Sequence, residues 1–395
     1  MKRFSLLLLA LMVASTTLYA QKNPDLRYLP KQVPQRAEMI LPQIKGYNIY
    51  KADLHCHTFY SDGDVSAKGR VTEAYYDGLD ILAITDHIEY RPYEQKMLRA
   101  TRGYHKELPT AKNYIISHKP ADKDGILADL NIPYEEAKKP AERLGMLAIP
   151  GVEITRHPDK VGHFNALFVE DANTIYDADP EQSIRNAKKQ GALITQNHPG
   201  WSRKSCDITE FEQKAFDENL IDGVEIMNGY WFYPKAMQRC VDKNLYMLGW
   251  TDIHHLTSTY KNNGHFRTMT LVFAKENSAK AVRKALEKGM TLAYSAGNIA
   301  GDAKLLQDFF KASVSCKFLA RGKKGAAVYA LTNSTSLGYQ IRSGRRVLEL
   351  PAFETITVSY SKSKEGKDRD VEFYVANMWE VGYKNPKITF KASAK

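Results

Sequence analysis

Residues 51–63 read KADLHCHTFYSDG, placing His55 and His57 one residue apart with Asp62 five residues further on. In a strand, alternate side chains share a face, so both imidazoles point one way and Leu54 and Cys56 the other. Leu54 and Cys56 suit a buried side. Taken alone, the pair reads either as a metal chelate or as two hydrogen-bonded histidines at a strand end. The rest of the chain has to separate these readings.

Upstream, residues 1–20 (MKRFSLLLLALMVASTTLYA) have a basic start at Lys2 and Arg3, an apolar run and small residues leading to Ala20. This is the pattern of a secretory signal cleaved after Ala20, and the run is too short to span a bilayer. An uncleaved anchor is the alternative. A periplasmic or secreted location is expected, with residues 21–46 as an N-terminal extension. Cys56, Cys206, Cys240 and Cys316 are too few and too dispersed for a disulfide framework. In an oxidising compartment Cys206 with Cys240 is the first pair to test.

The net charge is +11, but residues 301–395 alone carry 17 Lys and Arg against 9 Asp and Glu, which leaves residues 21–300 nearly neutral. Long nucleic acid is therefore not the expected partner. The tail's surplus reads as solvated turns or as contact with an anionic surface.

From residue 47 to 300 short apolar runs alternate with helix-like segments. Strands are expected at Ala52–His55, Ile81–Thr85, Met146–Glu153, Phe164–Val169, Ala192–Gln196, Gly223–Met227, Tyr246–Trp250 and Thr268–Phe273. That rhythm predicts an α/β fold with a parallel sheet closed into a barrel. Glu89–Asn131 interrupts it and reads as a rim insertion. Residues 301–395 switch to alternating patterns separated by turn residues, as in a small antiparallel β-sandwich.

The remaining chemistry sits at the ends of these strands. ITDH ends at His87, GVEI contains Glu153, GHFNAL begins around His163, NHP holds His198, and TDIHH carries Asp252 and His254. Most lie at carboxyl ends, which share one face of a strand-helix barrel. His163 opens its strand and fits that rule less well. So many imidazoles and carboxylates exceed what one ion needs.

In this order DLHCHT, SDG, ITDH, GVEI, GHFNAL, NHP and TDIHH resemble the polymerase and histidinol phosphatase (PHP) family over roughly residues 50–297. The resemblance implies a distorted (β/α)7 barrel holding two or three divalent ions (Zn, Mn or Fe) and hydrolysing phosphoesters. It implies as ligands His55, His57, Asp62, His87, Glu153 as the bridging carboxylate, His163, His198, Asp252 and His254. Asp53, Asp86 and His255 are expected as partners that orient imidazoles.

The expected reaction is attack of metal-bound hydroxide on a small phosphoester. Arg156 and Arg203 are candidates to clamp the phosphate, and His255 to protonate the leaving oxygen. Two alternatives stay open: an amidohydrolase-type C–N hydrolase, and a non-catalytic surface-binding protein.

Overall fold

The computed structural model describes residues 33–91, 129–260 and 264–392. Arg36–Lys395 form one compact unit; residues 33–35 belong to a separate one, Met1–Gln35, and have no regular structure there. The proposed signal, residues 1–20, and residues 92–128 of the expected insertion lie outside the described residues.

Seven strands make the ring that carries the site: β1 (Asn48–Asp53), β2 (Ile81–Ile84), β3 (Leu147–Thr155), β4 (His163–Leu167), β5 (Leu193–Gln196), β6 (Gly223–Asn228) and, after the two-residue β7 (Trp231–Phe232), β8 (Tyr246–Trp250). β1, β2 and β3 pair in parallel, as do β5, β6 and β8. β4 runs antiparallel to both of its neighbours, β3 and β5. The sheet is therefore mixed, where strand-helix alternation alone predicts a parallel one. The turn from β3 to β4 spans only residues 156–162. A connection that short makes a hairpin, because a parallel return needs a crossover of a dozen residues or more.

The ring closes at its carboxyl end. β1 uses residues 48–52 to pair antiparallel with β9 (Met269–Ala274), then changes partner. Beyond Asp53 the His57 N–H donates to the Ile253 carbonyl (3.0 Å) and the Asp252 N–H to the His55 carbonyl (2.9 Å). Below that contact, the Thr270 hydroxyl meets both the N–H and the carbonyl of Gly249. The opposite edge of β9 pairs with β10 (Thr291–Ser295), which pairs with β11 (Asn298–Gly301).

Helices Ala67–Tyr76, Ile132–Arg143, Pro180–Lys189, Glu210–Asp217, Pro234–Asp242 and Ala279–Glu287 cover the barrel. Several start as their sequences dictate. Thr209 and Glu212 form a reciprocal capping box, and Pro180 follows the Asp179 cap. Fully buried apolar side chains such as Leu54, Ile194, Leu248 and Val272 fill the interior.

After the helix Ala303–Ser313 come β12 (Val314–Arg321), β13 (Ala327–Asn333), β14 (Tyr339–Ser343), β15 (Arg346–Leu350), β16 (Thr355–Tyr360), β17 (Val371–Val375), β18 (Met378–Trp379) and β19 (Lys387–Phe390). They form two antiparallel sheets, β12-β13-β16 and β15-β14-β17-β19. The short β18 instead joins the barrel sheet beside β11. One apolar core runs without a break from Leu82 and Leu271 through Phe309 and Phe310 to Tyr339 and Phe373. All four cysteines are free, so Cys206 and Cys240 are not bonded to each other.

Candidate metal centre

Continued hydrogen bonding past the formal strand ends brings the ligating residues together. The Thr85 N–H donates to the Cys56 carbonyl, and the Glu153 N–H to that of Asp86. Lateral ladders thus place His55 and His57, His87, and Glu153 side by side, with Asp252 and His254 on the opposite flank of β1. His163 is explained by strand direction: Thr155 of β3 lies opposite His163 of β4, so the amino end of an antiparallel strand reaches the same rim. The Asn197 N–H on the His163 carbonyl (3.0 Å) brings His198 alongside.

Asp62 arrives by a fold-back of the loop after β1. The Gly63 N–H donates to the Thr58 carbonyl, and a Cβ at Gly63 would lie 2.7 Å from the His57 carbonyl carbon. Only glycine fits that approach, which explains the SDG motif.

All nine expected ligands converge in four overlapping groups, each with its donor atoms within 4.8 Å: His57, Asp62, His87 and His254; His55, His57 and Glu153; His55, His198 and Asp252; Glu153, His163 and His198. Glu153 belongs to two groups. Its Oε1 lies 3.4 Å from His55 Nε2 and 3.4 Å from His163 Nδ1, and its Oε2 lies 2.5 Å from His87 Nδ1. Asp252 Oδ1 stands 3.1 Å from His55 Nε2 and 3.0 Å from His57 Nε2. Asp62 sits 3.4 Å from His87 and 3.3 Å from His254. His198 (φ 23°) and Asp252 (φ 55°) hold left-handed backbone conformations, a strain that packed functional sites retain.

Burial raises the proton affinity of Glu153, but the imidazoles of His87, His55 and His163 outweigh it and hold the carboxyl well below its usual range. Asp252 and Asp62 are lowered in the same way, against burial, with His55 and His87 respectively the largest lowering influences. His57 falls to about 3 through burial and the neighbouring His254 and His87, and burial takes His163 to about 4. His55 and His87 are raised despite burial by the carboxylates around them. Anionic carboxylates and neutral imidazoles are the forms that bind a divalent cation. The raised histidines take protons where a cation would neutralise the same carboxylates.

The donors fit such ions. His55 Nε2 and His57 Nε2 are buried close to carboxylate oxygens but without hydrogen-bond geometry among the described residues, a costly state that coordination would relieve. Mixed imidazole and carboxylate donors are the chemistry of divalent transition ions.

The three non-ligand candidates are placed elsewhere. Arg156 is ion-paired with Glu89 and donates to the Asp177 carbonyl (2.7 Å) and the Ser183 hydroxyl (3.2 Å). It lies three residues after Glu153, an odd spacing that puts it on the opposite strand face. Both terminal nitrogens of Arg203 bond Glu212 (3.0 and 2.8 Å), and its Nε bonds the Pro158 carbonyl (2.6 Å). His255 turns outward, 65% exposed, to Asp64. Neither Asp53 nor Asp86 bonds an imidazole directly. Asp53 holds Arg267 and Thr251, while Asp86 takes Thr58 and Ser61, whose hydroxyl lies 3.4 Å from His57 Nδ1.

Other residues provide the support. Glu225 places Oε1 3.4 Å from His55 Nδ1, and its Oε2 accepts the His198 N–H at 2.7 Å. The Asn197 amide donates to Glu153 Oε1 at 2.7 Å. Arg70, 1% exposed, donates to the carbonyls of His57, His254 and His255 and so ties β1 to the segment after β8. A lone carboxylate inside the apolar run GVEIM was a visible signal for Glu225. Arg70 left none.

The PHP domain model matches residues 53–297. A solved structure from Bacteroides vulgatus ATCC 8482, a two-domain protein containing a predicted PHP-like metal-dependent phosphoesterase, is 33% identical, with 91% of this chain and 100% of that chain covered at a TM-score of 0.78. An amidohydrolase from Chromobacterium violaceum is 14% identical (54% and 90% covered, TM-score 0.34). The lesion-specific endonuclease from Pyrococcus furiosus is 15% identical (65% and 59% covered, TM-score 0.35). At that level neither of these two bears on what this chain does. No curated protein matches. The chain belongs to the PHP family of metal-dependent phosphoesterases.

Proposed function

We propose that the protein is an exported phosphoesterase that hydrolyses a small organic phosphate ester, as a diester or a monoester, with two or three Zn, Mn or Fe ions. The carrying observation is Glu153, which belongs to two overlapping donor groups, as a carboxylate shared between neighbouring ions would. Ions held there by His55, His57, Glu153 and the other converging donors would supply an acidified water and offset phosphoryl charge.

The chain's own residues hold the geometry. Glu225 and Asn197 orient His55 and Glu153, and Arg70 fixes the spacing of the two flanks. Arg156 and Arg203 are committed to internal carboxylates, so phosphate charge falls to the ions. Export rests on the N-terminal pattern of residues 1–20, and anionic-surface contact on the basic surplus of residues 301–395. Among the described residues no helix is long and apolar enough to cross a membrane.

The test is an assay of protein loaded with each metal against bis-(p-nitrophenyl) phosphate, p-nitrophenyl phosphate and an acyl-amide panel, alongside elemental analysis. Phosphoester turnover with more than one ion per chain is expected. Amide turnover alone, or turnover by metal-free protein, would reject the reading.

A further inference from the structure

Two indoles that the metal chemistry does not use are carried by segments at the carboxyl end of the barrel. Trp201 follows His198 in a tight turn, its N–H on the His198 carbonyl at 2.8 Å. Its ring lies 5.3 Å from that of His198 and 5.4 Å from that of His163, yet 46% of the residue is exposed. Trp231 comes from the hairpin after β6. Gly229, at φ 51°, takes the first corner of a two-residue turn, a position that favours glycine.

The turn sets Trp231 directly opposite Asn228. Opposed residues of an antiparallel pair share a face. The Asn228 amide reaches Glu225 (3.0 Å) and Asp252 (3.4 Å), so Trp231 stands on the metal-centre face, 68% exposed. Phe232 turns the other way and packs on Trp379 and Tyr383, which stack at 4.6 Å. The segment after β17 therefore braces the strand that carries Trp231.

Four arginines described around the barrel rim are already engaged. Arg70, Arg156, Arg203 and Arg267 are all spent on carbonyls or carboxylates of the fold. The described surroundings offer flat apolar faces, which suit a substrate with one phosphoryl group and a flat apolar substituent.

Resting on the phosphoesterase reading, we propose that Trp201 and Trp231 form a stacking subsite for an aromatic ring borne by the phosphate ester, making the substrate an aryl or nucleoside ester. Uncleavable phosphonates test this by calorimetry on metal-loaded protein: phenylphosphonate, adenosine 5′-phosphonate, ribose 5-phosphonate and methylphosphonate. At least one ring-bearing compound should bind roughly tenfold tighter than methylphosphonate, the usual worth of one base–aromatic stack. Which one gains tells an aryl ester from a nucleoside ester. Trp201→Ala and Trp231→Ala should each reduce that gain while leaving metal content and methylphosphonate affinity unchanged.

Equal affinity for all four compounds overturns the subsite, as does a gain that survives both substitutions or one that ribose 5-phosphonate matches. Because nothing is cleaved, the two readings fail separately. A ring-dependent gain without phosphoester turnover rejects the activity and keeps the subsite; turnover without the gain does the reverse.

Discussion

At the amino end of the barrel a cavity of about 730 Å³ opens between Tyr47, Ile221, Lys243, Tyr246 and Met290. At the carboxyl end nine side chains that could hold metal ions crowd the space between the strand ends. Charged groups at the amino end are paired with one another or with the nearby surface, Asp222 with Lys188 and Lys243 with Asp217. At the carboxyl end the Nε2 atoms of His55 and His57 converge on carboxylates without hydrogen-bond geometry among the described residues. The difference teaches that the size of a hollow does not locate chemistry. Donors buried at a cost, and aimed at one another, do.

The largest effect should come from Glu153→Gln, which keeps the shape and removes the shared charge. Turnover should fall by more than about 100-fold, beyond what loss of an outer partner usually costs, and elemental analysis should find less than the full metal complement. Wild-type turnover in that variant would dissolve the contrast between the two ends. Arg70→Met comes next. It leaves one buried and two part-buried carbonyls without their donor, so urea titration of metal-free protein should show a loss of about 3 kcal/mol.

Glu225→Gln should weaken metal affinity by roughly 10- to 100-fold, measured by competition with a chelating dye, with little change in fold. An unchanged affinity would mean that Glu225 does not orient His55. The smallest effect belongs to the amino end: Lys243→Ala should cost less than about 1 kcal/mol in thermal unfolding and leave kcat unchanged. A strong loss of activity there would show that the hollow takes part after all.

The set of side chains that converge at the carboxyl end was legible because its information is local. Two-residue spacings in HCH and DIH, and strand-end positions for His87, Glu153 and His198, follow from one chain direction and side-chain alternation. What stayed hidden depends on register between distant segments. β4 could not be known to run backwards, so His163 looked misplaced. Arg156 and Arg203 looked available because their partners Glu89 and Glu212 lie far away or on another face.

Arg70 acts through carbonyls, which carry no sequence signature. In the C-terminal region the expectation of alternating strands from residue 301 concealed the helix Ala303–Ser313. It begins at the point where the alternating pattern was expected to start.

The change of partners along β1 governs the order in which the molecule can be assembled. Asp53 meets Thr251 across 198 residues of chain, and Cys56 bridges Ile253. Pairing over such separations is slow, since a long loop must close before any contact rewards it. A polypeptide grown past His163 already carries six of the nine converging side chains well before the last two, Asp252 and His254, exist. Premature capture of an ion by the early ones would join residues that are not yet neighbours, so orderly maturation puts cation uptake after synthesis is complete.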